Sequence, residues 1–103
     1  MHKNEIVLEG RLQKTPVLHY TPTGKGITQF SVENILLFRE NDEDREEPNW
    51  ILCEAWEDLA GRITKLIKAG DTIQVVGKLR EKPYRNRTRH VLYVDGFKRI
   101  VRN

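Results

Sequence analysis

The chain has 103 residues, 32% of them charged and 38% hydrophobic, with a formal net charge of +3. That length suits one domain, residues 1–103, with one modest core. The apolar runs stop at four residues ("ILLF"), which excludes a membrane-spanning helix. "MHKNEIVLEG" lacks the apolar stretch of an export signal, and Cys53 has no second cysteine to pair with, so the cytoplasm is the expected compartment.

Residues 5–12, "EIVLEGRL", alternate with Ile6, Leu8 and Leu12 apolar, as a strand does. Val17 to Tyr20 either extends it or starts another after Pro16. "TPTGKG" at 21–26 sets glycine beside lysine, as a phosphate-binding loop would. The template needs Gly, four residues, Gly-Lys and Ser or Thr. Here His19 stands at the first glycine and Gly26 at the hydroxyl, so the stretch is expected to be a turn between strands. Residues 27–38 form a β-rich run with Phe30, Val32, Leu36 and Phe38 at even positions. Residues 40–47, "ENDEDREE", carry −5 and read as an exposed loop. In 50–56, "WILCEAW", Trp50, Leu52 and Trp56 share one face of a strand; Ile51, Cys53 and Ala55 share the other.

The period then changes. Leu59, Ile63, Leu66 and Ile67 fall on one helix face, with Asp58 as the expected N-cap and Gly70 as the expected stop. Residues 72–80 return to period two, with Ile73, Val75 and Leu79 in phase and Gly77 expected at a bulge or bend. Residues 90–97, "HVLYVDGF", make the last strand. The expected fold is all-β: a five-stranded Greek-key barrel of the OB type, with one short helix between strands 3 and 4.

Residues 78–90, "KLREKPYRNRTRH", carry +5, a density that attracts polyanions. Tyr84 lies among Lys78, Arg80, Lys82, Arg85, Arg87 and Arg89, in a loop expected to reach out of the barrel. Aromatic interleaved with basic is the composition of a nucleic-acid surface. No Ser-His-Asp, Cys-His or paired-carboxylate pattern can be read out, so no catalysis is expected. His2, His19 and His90 lack metal-ligand spacing, and no cofactor or metal is implied. Cys53 reads as a buried strand residue.

With those pieces in order, the sequence resembles the bacterial single-stranded DNA-binding protein family. The likeness rests on Asn4, Gly10 and Leu12 of "NEIVLEGRL", on "PVLHYTPTGKGITQFSV", on Trp50 and Leu59-Ala60 of "WILCEAWEDLAGRI", and on "KAGDTIQVVGKLR". It implies sequence-independent binding of single-stranded DNA in replication, recombination or repair, by stacking bases on aromatics and tracking phosphates with cations. The family's stacking positions fall on Phe38, Trp50, Trp56 and Tyr84. By parity alone the tryptophans fit a core as well, and Phe38 faces DNA only if its strand bulges or twists near Asn34. The resemblance further implies self-association as homodimer or homotetramer and contact with replication or restart proteins.

Departures from the family are Glu5, where many relatives carry a base, the acidic stretch, and a short form ending at "FKRIVRN" without the linker and acidic tail. A B-type primosomal replication protein is the second resemblance. RNA serves as well as DNA for stacking and phosphate contact. A barrel that only docks proteins is the alternative of another class; its mark would be an apolar patch without basic neighbours.

Overall fold

The protein, described over residues 1–101 by a computed structural model, folds as β1 (Ile6–Leu12), β2 (His19–Tyr20), β3 (Gly26–Glu40), β4 (Glu43–Trp56), α1 (Glu57–Leu66), β5 (Thr72–Tyr84) and β6 (Arg87–Ile100). The last two residues of the expected 1–103 span lie outside the described residues.

The strands pair in the order β1-β5-β6-β4-β3-β2, and β1 also pairs with β3, which closes the ring. The five-stranded barrel with its helix between the third and fourth long strands is as expected. The 17–20 stretch is a separate two-residue strand, β2, paired with Gly26 and Ile27. "TPTGKG" is the turn between them. Thr21 N–H donates to Lys25 O and Gly24 N–H to Thr21 O, both at 2.8 Å, and Gly24 takes φ +86°.

The core follows the alternation. Phe30 and Val32 of β3, Cys53 and Ala55 of β4, Ile73 and Val75 of β5, and Leu92 of β6 point inward, and Ala60, Ile63 and Ile67 join the same core. Burial pushes the Cys53 thiol up to about 12, so it is an inert core group at neutral pH. On α1 the buried stripe centres nearer Ala60 than the apolar pattern suggests. Leu66, about 90° round the helix from that centre, is 58% exposed. Asp58 is not the N-cap: Trp56 holds that position without a side-chain cap bond, and Glu57 and Asp58 fill the first turn. The helix stops at Ile67, whose N–H donates to Ile63 O; Gly70, at φ +91°, turns the chain three residues later.

Gly77 sits where the β5–β6 register shifts, as a bulge. A Cβ there would run into the carbonyl of Tyr93. Beyond this point the expectations of loops fail. Residues 40–47 are exposed but belong to a two-stranded arm, with β3 and β4 paired from Ile27↔Trp56 out to Glu40↔Glu43. Asn41 and Asp42, at φ +51° and +63°, make the tip, as a type I′ turn requires. The ion pairs Arg39–Asp44 and Arg45–Glu40, each 3.6 Å, lie along the arm. The basic stretch is likewise a hairpin, paired from Lys78↔Tyr93 to Tyr84↔Arg87, with Arg85 at φ +58° in its turn.

β4 and β6 pair in parallel, Cys53 with Leu92 and Glu54 with Tyr93. Each arm precedes that pairing along its strand, so both arms leave the same end of the barrel. No helix among the described residues is long and apolar enough to cross a membrane.

Candidate nucleic-acid interface

Where Cys53 and Ala55 point inward, their neighbours Trp50, Leu52, Glu54 and Trp56 point outward. Across β3 they meet Glu33, Ser31, Gln29 and Ile27. Trp50 is 54% exposed and Trp56 half-buried, so neither belongs to the core. Tyr93 of β6 stands beside Glu54. Arg87, Arg89 and Val91 share its parity and face Tyr84, Lys82 and Arg80 of β5. One outer surface therefore runs from β4 across β6 to β5. A groove borders it, walled by Trp50 and Leu52 on one side and Pro16 and Val17 on the other.

The rings on this surface are framed by cations. Arg80 lies 4.5 Å from the centroid of Tyr93, and Arg89 and Arg85 lie 4.3 and 5.3 Å from that of Tyr84. Arg89 keeps a buried Nε without a hydrogen-bond partner among the described residues. Lys82 sits between Trp56 and Tyr93, at 5.8 and 5.6 Å.

Beneath these rings is a buried carboxylate. Glu54 has no exposed surface, and three donors converge on it: Lys82 Nζ at 2.7 Å and Gln29 Nε2 at 2.8 Å to Oε1, and Trp56 Nε1 at 3.0 Å to Oε2. Burial alone would raise its pKa; the hydrogen bonds from Lys82, Gln29 and Trp56 outweigh that and hold it below the ordinary carboxylate value. Burial likewise works against the Lys82 ammonium. Its bonds to Glu54 and to the Tyr93 hydroxyl carry its pKa above the ordinary lysine value.

Of the residues singled out by sequence, the fold brings Trp50, Trp56, Tyr84, Arg80, Lys82, Arg85, Arg87 and Arg89 to this surface and its arm. Lys78 is there too, but it is bound to Asp95 at 3.1 Å. Phe38 is not brought to them. The β3–β4 register runs through Asn34 without a slip, so Phe38 keeps the parity of Phe30 and Val32, opposite Arg45. Tyr93, Glu54 and Gln29 were missed. Tyr93 is hidden by apolar neighbours on both sides in "HVLYV". Glu54 did leave a signal, as the lone acid inside "WILCEAW". Among the described residues, no cluster of three His, Cys, Asp or Glu is placed to hold a metal ion.

The model of the single-strand binding protein family matches residues 3–96. Single-stranded DNA-binding protein A of Bacillus subtilis is 32% identical over 91 residues, which are 88% of this chain and 52% of that protein. Single-stranded DNA-binding protein 1 of Streptococcus pyogenes is 31% identical over 91 residues, 88% of this chain and 69% of the relative. The chain thus spans about half the length of the Bacillus relative. A crystal structure of a deletion mutant of the single-stranded DNA binding protein from Thermus aquaticus superposes with a TM-score of 0.86. It covers 96% of this chain and 51% of that one, at 20% identity, a likeness of fold.

Proposed function

Because this chain belongs to the single-strand binding protein family, we propose that it binds single-stranded DNA without sequence preference, on the surface that runs from Trp50 to Tyr84. The observation that carries this reading is the interleaving of Trp50, Trp56, Tyr93 and Tyr84 with Arg80, Arg85, Arg87 and Arg89 on one continuous face. Every base has a π-face, so rings accept any sequence, each stack being worth about 1–3 kcal/mol, while cations hold the phosphates. A barrel that only docks proteins would not need this density of cations. The chain acts as a binding protein, not an enzyme, with residues 1–103 as one binding domain.

The strand so held would be protected or presented during replication, recombination or repair, in the cytoplasm. Self-association as dimer or tetramer belongs to the same reading. β3 pairs with β1 at Arg11 and Leu12, and Asn34 of β3 donates to the Glu9 carbonyl at 2.8 Å. Among the described residues no strand pairs with Ile6–Leu8 on that side, which leaves the first part of the edge open. Val7 on this strand is 63% exposed. An open edge invites a second strand.

The test is a titration with oligo-dT and with a duplex of equal length, following tryptophan fluorescence at two salt concentrations. Quenching by oligo-dT, slight for the duplex and weaker at high salt, is expected. Absence of binding would leave a barrel that docks proteins.

A further inference from the structure

Lys82 is a half-buried cation of the binding face, and its charge is already spoken for. Its ammonium is 2.7 Å from a Glu54 carboxylate that has no exposed surface, and its own side chain is only 28% exposed. A phosphate could draw Lys82 away only by leaving that carboxylate buried without its cation, one of the costlier arrangements in a protein. The same carboxylate accepts from Trp56 Nε1 and from Gln29, so it ties β3, β4 and β5 together under the stacking rings. We propose that Glu54 is a positioning residue of the single-strand site: it fixes the indole of Trp56 by its Nε1 edge and retains Lys82 as an internal cation between Trp56 and Tyr93, outside the set that holds phosphates.

This deepens the single-strand reading and rests on it. It divides the basic residues into two groups with different salt behaviour. Arg85 and Arg87, exposed at the tip, exchange counterions for phosphates. Each such contact contributes about 0.7 to the slope of log K against log salt on a single strand. Lys82 contributes none.

The first experiment compares the salt slope of oligo-dT binding in the parent, in R85A/R87A and in E54Q/K82Q. The last replaces the ion pair by two neutral amides of similar shape, which keeps the site filled. Its slope is expected to equal the parent's, while R85A/R87A loses about 1.4. E54Q alone frees Lys82 and is expected to steepen the slope by about 0.7.

The second experiment uses W50F, in which Trp56 is the only tryptophan. Adding E54V is expected to remove most of the quenching by oligo-dT, and E54Q, which keeps an acceptor for Nε1, to restore it. A double variant whose slope falls by about 0.7, or full quenching in E54V, overturns the inference while leaving single-strand binding intact. A parent that does not bind oligo-dT overturns both.

Discussion

At the scale of the residue, exposure separates the two tryptophans. Trp50 is more than half exposed on the outer face of β4, so Trp50→Ala is expected to weaken oligo-dT binding by about 1–3 kcal/mol and to leave the urea midpoint unchanged. Trp56 is half-buried and bonded to Glu54, so its replacement is expected to lower both. Comparing binding with denaturation for the two variants checks this. Glu54 gives a pH dependence. Its folded pKa is depressed, so the stability it supplies is complete above the ordinary carboxylate value of about 4.3 and is lost as pH falls through the lower folded value. The difference in unfolding free energy between the parent and E54Q should be constant from pH 7 to about 5 and shrink below that. A difference that stays flat into strong acid would contradict it.

At the scale of the element, Gly77 is the sharpest test. The bulge brings the Tyr93 carbonyl against the place of a Cβ, so Gly77→Ala is expected to destabilise by roughly 1–3 kcal/mol or more in chemical denaturation. A neutral substitution would mean that β5 can shift there freely. Gly77 also shows what the sequence reveals: a glycine interrupting a period-two run is visible without coordinates. So was the barrel, because Phe30, Val32 and Ile73 alternate against polar neighbours and Cys53 and Ala55 fall in phase on one face of their strand. The arms were not. Toward the tips of the two hairpins most side chains on both faces meet water, so charged and apolar side chains no longer alternate and the strands read as loops. The absence of a bulge near Asn34, which bears on Phe38, is likewise set by a cross-strand register that no single strand can display. Tyr93 became part of the site only because β6 lies parallel to β4, a pairing made across the fold and silent in the local pattern.

At the scale of the whole molecule, the arms dominate the shape. The radius of gyration is 15.1 Å, against about 13 Å for a compact domain of 100 residues, and the longest extent is 53 Å. The acidic arm should repel a strand bound on the neighbouring face. Replacing Glu43, Asp44, Glu46 and Glu47 by their amides is expected to raise oligo-dT affinity roughly tenfold at low salt. The gain should vanish near 1 M salt, where the screening length falls to about 3 Å. Equal affinities at low salt would mean that the bound strand never comes near this arm.

The parallel pairing of β4 and β6 has one more consequence. It sets segments of −5 and +5 side by side at one end of the barrel, so the molecule carries a standing electric dipole across its mouth. A polyanion drifting in from any side exerts a torque that turns the basic arm to the front before the surfaces touch. Orientation is then settled in the encounter, and added salt slows capture more than it hastens escape.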